Sequence, residues 1–207
     1  MKEKLLIFPS SGTGLEAAST AENDFQVIGF IDDDENKWGV DSFGHDVRSR
    51  EIIETVAESR LLLVPGSPQS YLNRKAIIAG FSLFQQRLAT VIDPAASVSR
   101  FTRLGVNCLL MAGVRVTSDA AIGDHVVILS NSVIHHGVAI GDYAIIGSNV
   151  TIAGDVTVGD NAYVASGTTV KNGLRIGARA LVGMGSNVLK DVPEGAVVFG
   201  NPARVHG

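Results

Sequence analysis

Apolar residues recur along the C-terminal half of the chain with a period of six. Every sixth residue from Ile92 through Val98, Leu104 and Leu110 to Val182 and Val188 is Val, Ile or Leu, seventeen positions in succession. A helix repeats near 3.6 and a plain strand at 2, so this pattern predicts a parallel β-helix built from hexapeptides. A second period lies inside the first. Gly105, Gly123, Gly141, Gly159 and Gly177 each follow an aliphatic, 18 residues apart, so three hexapeptides close one triangular coil. Asp124, Asp142 and Asp160 follow three of these glycines, and the pairs are expected to form tight corners with unusual φ. Four residues after each aliphatic the side chain is small or aliphatic, as at Cys108, Val114, Ala120 and Val126, which suits a narrow interior. About five and a half coils, stacked at roughly 4.8 Å, make a rod on the order of 25 Å long.

Before residue 92 the pattern changes. Short apolar runs alternate with helix-like segments: Leu5–Pro9 then Gly14–Ala21, Phe25–Asp32, Arg50–Ala57, Leu61–Pro65 then Tyr71–Phe81, and Leu88–Ile92. The alternation predicts a small parallel α/β domain with a Rossmann-like start. The expected division is residues 1–91 for this domain and 92–207 for the β-helix with a C-terminal tail. Pro94 marks the junction, with no flexible linker between the two.

Composition narrows the chemistry. A formal charge of −4 without a basic run argues against nucleic acid as a partner. The run Leu5–Phe8 behind Met1-Lys2-Glu3-Lys4 is too short for a signal peptide or a membrane span. A soluble, cytoplasmic protein without membrane insertion is therefore expected. The single cysteine, Cys108, falls on an inward position, so a packed, inert thiol is expected and no disulfide.

Two places in the first domain suit a ligand. Pro9-Ser10-Ser11-Gly12-Thr13-Gly14 links the first strand to a helix, where free N–H groups and the helix dipole can hold a phosphate. Pro9 stands where a dinucleotide fingerprint has its first glycine, so the loop also reads as a simple turn. Asp32, Asp33 and Asp34 end the second strand at the carboxyl edge where such sheets bind ligands, and they equally suit a solvated loop. Gly66, after the third strand, leaves room at the same edge.

Histidines are few: His45, His125, His135, His136 and His206. His45, in a glycine-rich loop, and His206, at the terminus, read as surface residues. His125 sits in a corner with no acidic partner evident. His135 and His136 follow inward Ile134, and the residue one coil above His136 is Gly154, which leaves open space beside an imidazole. His136 is therefore the candidate base. His125 and His135 are ten residues apart rather than a multiple of a coil, so no metal site is expected.

Four segments carry a family resemblance: the strand–Ser-Gly-x-Gly start, Gly29–Asp34, Ser132–His136, and Gly183-Met184-Gly185 through Val192–Gly195 to Gly200–Arg204. Over essentially its whole length the chain resembles the hexapeptide-repeat sugar acetyltransferases. Within them it is similar to the group of sialic acid O-acetyltransferases and bacterial nucleotide-linked 4-amino-sugar N-acetyltransferases. The resemblance implies a homotrimer of left-handed β-helices with active sites between subunits, and a role in surface glycan synthesis. It implies acetyl-CoA as donor along the later coils, near Gly154, Ser166 and Met184, with Asn201 and Pro202 toward the adenine end. It also places the nucleotide of an activated amino sugar near Ser11, Gly12, Thr13, Asp32, Asp33 and Gly66, and matches His136 to the family's catalytic base.

Three positions depart from the family pattern. The acidic residue that follows the base in relatives is Gly137 here, a second histidine near the acetyl group is Ile145, and Gly-x-Gly-Gly-His-Gly reads Pro-Ser-Ser-Gly-Thr-Gly. Orientation of the imidazole by His135, by a backbone carbonyl or by a neighbouring subunit all stay open. The function expected is N-acetylation of a nucleotide-linked amino sugar. O-acetylation of sialic acid or a related sugar, and a non-catalytic trimeric binding protein, are the alternatives.

Overall fold

The computed structural model describes residues 1–82 and 85–206; Gly207, the last residue of the expected second domain, lies outside them. The first domain is built on a five-stranded sheet. Its strands are β1 (Glu3–Phe8), β2 (Phe25–Ile31), β3 (Gly39–Val40), β4 (Asp46–Arg48) and β5 (Arg60–Leu63), in the order β3-β4-β2-β1-β5. Four run parallel, and only the edge strand β3 is antiparallel. The β3–β4 hairpin was not expected from the sequence, because two- and three-residue strands are too short to show a period. Strand β1, between β2 and β5, is covered on both faces, which is why Leu5–Phe8 reads as one unbroken apolar run. Helix α1 (Gly12–Ala21) begins two residues before its predicted start, with the Ser11 hydroxyl accepting from the Gly14 N–H at 3.2 Å. The expected helix 50–57 shrinks to α2 (Ile52–Thr55), and 71–81 divides into a 3₁₀ turn (Tyr71–Asn73) and α3 (Arg74–Ala79).

From Val91–Ile92 onward, two-residue strands stack in parallel every 18 residues into three faces of a prism. Face 1 carries Val91–Ile92, 109–110, 127–128, 145–146, 163–164 and 181–182. Face 2 carries 97–98, 115–116, 133–134, 151–152, 169–170 and 187–188, and face 3 carries 103–104, 121–122, 139–140, 157–158 and 175–176. The second residue of each pair points inward, and the resulting column is almost completely buried from Leu110 to Val198.

The corners correct one expectation. Gly105, Gly123, Gly141, Gly159 and Gly177 do not have positive φ. The left-handed residue is the third after each inward aliphatic, at every sixth position from Asn107 to Gly185. The glycines answer crowding instead. A Cβ at Gly123 would lie 2.3 Å from Asp142 Oδ1, and one at Gly141 2.2 Å from Asp160 Oδ1. Those carboxylates accept backbone N–H groups from the coil below, Asp142 from Asp124 at 2.8 Å and Asp160 from Asp142 at 3.1 Å. The period of 18 therefore reports stacking distance, not backbone conformation.

Face 1 differs from the other two on its outer side. Leu109, Val127 and Ile145 are buried in one cluster with Leu5, Ile7, Leu62 and Tyr71 of the first domain, and Tyr163 and Leu181 pack against it. Faces 2 and 3 present residues such as Arg115, Thr151, Arg103 and Arg175 at the same place in the strand. The apolar doublets Leu109-Leu110, Val127-Ile128 and Ile145-Ile146 were the sequence signal that one face is covered.

Polar contacts lock this junction. The Leu63 N–H donates to Asn107 Oδ1, and Asn107 Nδ2 donates to the Leu63 carbonyl, both at 2.8 Å, so one side-chain amide substitutes for a neighbouring strand. Arg74, wholly buried, donates Nη1 to the Pro65 carbonyl and Nη2 to the His125 carbonyl at 2.7 Å. Burial lowers its pKa to about 10, so the guanidinium stays charged at neutral pH.

Candidate functional site

His136 stands at the corner between faces 2 and 3, two residues after inward Ile134. Its ring lies over Gly154: a Cβ there would be 2.5 Å from Cε1 and 2.6 Å from Nε2. The glycine one coil above is thus what admits the imidazole, and the ring fills that space while its side chain stays 63 % exposed. Nδ1 lies 3.9 Å from Asp155 Oδ1. Asp155 sits directly above Gly137, where a Cβ would meet the same Oδ1 at 2.2 Å. The sequence reading considered the residue above His136 and not the one above Gly137, although the same 18-residue register leads to it.

The residues matched to a donor border face 2. Gly154 lies on its His136 edge. Ser166 and Met184 lie on the opposite edge, between faces 1 and 2, where Met184 is exposed. Asn201 and Pro202 lie over the end of the face, tied down by Asn187: its N–H donates to the Gly200 carbonyl at 3.0 Å, and its side-chain amide reaches Asn201 Oδ1 at 3.3 Å. Ser148, Gly167 and Gly185 leave that far edge lined by small residues, and a Cβ at Gly185 would meet nothing within 4 Å. A slender chain can lie against such backbone.

The first-domain residues gather at the carboxyl ends of β1 and β2. Gly12 opens α1 with free space around its Cα, and Thr13 is half-buried. Gly14 is pinned, because a Cβ would lie 2.2 Å from the Pro9 carbonyl oxygen. The two acids are already engaged. Asp32, buried, accepts the Asp34 N–H at 3.0 Å and pairs with Lys37 Nζ at 2.9 Å, and Asp33 holds Arg50 through two 2.6 Å contacts. Lys37 also donates to the Ser10 carbonyl at 3.0 Å. It is the cation beside the loop that the sequence reading missed. At Gly66 (φ +132°) the space a Cβ would take is filled by Ile145 Cδ1, 2.7 Å away. Ile145 itself is buried under the first domain rather than placed beside His136.

Two of the other histidines, His45 and His125, are held by packing and hydrogen bonds within the first domain and its junction. His45, expected at the surface, is half-buried, with Nδ1 3.2 Å from Asp41 Oδ2 and its ring edge-on to Phe30. His125 stacks on Tyr143 with ring centres 4.7 Å apart, beside Asn107. Its pKa is lowered by burial and by the nearby Arg74 charge. Burial pushes the Cys108 thiol up to about 12, so it is no nucleophile at neutral pH. Among the described residues no helix is long and apolar enough to cross a membrane.

An exposed imidazole over a glycine, on a prism of hexapeptide coils packed against an α/β domain, defines a class of protein. Residues 119–154 and 137–172 match the family Bacterial transferase hexapeptide (six repeats). The chain is an acyltransferase whose central coils carry this repeat. No curated protein matches it in sequence. Among solved structures it is similar to a histidine-to-asparagine variant of perosamine N-acetyltransferase from Caulobacter crescentus, in complex with CoA and GDP-perosamine. The identity is 25 %, over 100 % of this chain and 98 % of that one, with a TM-score of 0.88. The fold is shared by the acetyltransferase domain of PglB from Neisseria gonorrhoeae (20 % identity, TM-score 0.87) and by WeeI from Acinetobacter baumannii (24 %, 0.80), each over 100 % of both chains.

Proposed function

We propose that the chain transfers an acetyl group from acetyl-CoA to the amino group of a nucleotide-linked amino sugar, with His136 as general base. One observation carries this reading: the imidazole stands clear over Gly154 in a chain whose likeness to an N-acetyltransferase runs through both domains. Acetyl-CoA supplies the acetyl group as a thioester, held between the Gly154 edge and the Ser166–Met184 edge with Asn201 and Pro202 at its far end. The neutral imidazole takes a proton from the amine as the amine attacks, which in general is worth roughly 10²–10⁴ in rate. Backbone N–H groups of the corners suit the developing oxyanion. Direct transfer needs no acyl-enzyme, which agrees with the buried, protonated Cys108.

The nucleotide belongs on the loop Ser11-Gly12-Thr13 at the start of α1, with Asp32, Asp33 and Gly66 at the same edge. Asp32 acts there through Lys37, and Gly66 by letting Ile145 seat the two domains. The first domain covers face 1, and His136 occupies the corner opposite that face. A sugar on the loop of one chain therefore meets the His136 of another. This favours a homotrimer of left-handed β-helices with sites between subunits.

Free thiol release from acetyl-CoA is the test, with UDP-, dTDP- and GDP-linked 4-amino sugars and free sialic acid offered in parallel. Turnover with one nucleotide amino sugar, abolished by His136→Ala, supports the proposal. Turnover with sialic acid alone replaces it with O-acetylation, and acetyl-CoA binding without turnover with a binding role.

A further inference from the structure

We infer that Asp155 is the positioning residue for His136, holding the proton on Nδ1 so that Nε2 stays free to accept one from the substrate. The inference rests on His136 being the base and adds what orients it. The chain lacks an acid at position 137, but the space a side chain would occupy there is taken by a carboxylate from the next coil. Asp155 Oδ1 lies 2.2 Å from the Cβ that Gly137 does not have, and 3.9 Å from His136 Nδ1. That is an ion-pair distance, and about 1 Å of approach makes it a hydrogen bond. Gly137 and Asp155 thus form a complementary pair, in which the glycine makes room and the aspartate brings the charge.

A plain corner role does not account for the carboxylate. Asp155 has φ +61°, and the equivalent corner positions Asn131 (φ +63°) and Asn149 (φ +55°) hold the same turn with a neutral amide. Asparagine tolerates this backbone as readily as aspartate. Nor is the charge used by the coil above, because the Gly173 N–H donates to the Gly154 carbonyl at 2.9 Å. The contrast with Asp119, in the same column one coil below Gly137, is direct: its Oδ1 accepts the Gly137 N–H at 3.2 Å. One carboxylate of the column serves the backbone, and the other faces the imidazole. A carboxylate on one ring nitrogen selects the tautomer in which the other nitrogen is the acceptor, the arrangement a general base requires.

Asp155→Asn is the discriminating variant, since it keeps the turn and the shape and removes the charge. The first reading is the ¹⁵N spectrum of histidine-labelled full-length protein, the His136 signals being those lost in His136→Ala. The expected result is an Nδ1–H tautomer in the unaltered protein and a shift toward Nε2–H in Asp155→Asn; the same tautomer in both overturns the inference. The second reading is kinetic, with acetyl-CoA and the acceptor that supports thiol release. Asp155→Asn should lower kcat by roughly 10- to 100-fold, the scale of a misplaced catalytic group, and leave the KM for acetyl-CoA unchanged. Added to His136→Ala, it should lower the rate no further; an equal loss in both backgrounds overturns the inference. Full activity in His136→Ala would sink the general-base reading itself, while the tautomer still reports the Asp155 contact.

Discussion

Ile134 in the β-helix and Phe30 in the α/β domain are both fully buried, but by different kinds of neighbour. Ile134 rests between Val116 and Ile152, its counterparts one coil below and one above. Phe30 is enclosed by partners from three elements: Ile7 on β1, Val47 on β4 and Gly14 on α1. The first environment repeats every 18 residues, and the second occurs once. A repeat spreads its stability over many equivalent contacts, whereas the α/β domain and its junction depend on a few unique ones. The largest mutational effects are therefore expected at the junction and the smallest inside the prism.

Arg74→Ala is the strongest way to test that comparison. It removes two charge-assisted bonds, to the Pro65 and His125 carbonyls, and opens a cavity, a cost of about 3–5 kcal/mol, read as a fall in the urea midpoint. Gly66→Val comes next. It sets a branched side chain at φ +132° with its Cβ 2.7 Å from Ile145 Cδ1, and about 1–3 kcal/mol should be lost in the same measurement. Ile134→Val, inside the repeat, should cost only about 0.5–1.5 kcal/mol. A larger loss there than at Arg74 would reverse the comparison.

The smallest effect is in pH. His125 has its pKa lowered from 6.5 in the folded chain, so the neutral ring contributes stability above pH 6.5, and this is lost as pH falls through the folded value. His125→Asn keeps a residue suited to φ +61° and should flatten the stability curve below pH 6.5, measured by urea unfolding across pH 4–8. An unchanged slope would assign the acid sensitivity to other groups.

Much of the candidate site was legible because the β-helix turns sequence distance into height. Gly154 above His136 follows from adding 18 to a residue number, and Asp155 above Gly137 follows from the same step. The first domain offered no such rule. The β3–β4 hairpin, Lys37 bridging Ser10 and Asp32, and the Arg50 clamp on Asp33 join residues with no periodic relation. Asp32 and Asp33 looked like free carboxylates in sequence and prove to hold cations of their own chain.

The sequence by itself determined the prism, its three faces, its inward column and the edge that carries His136, because each depends only on register between neighbouring coils. Only the tertiary structure decided how the first domain seats on face 1, why Gly105 and its repeats are glycines, and how near the Asp155 carboxylate comes to the imidazole. Those outcomes depend on which surfaces meet and how closely, and packing distance is not written in the spacing of residues along a chain.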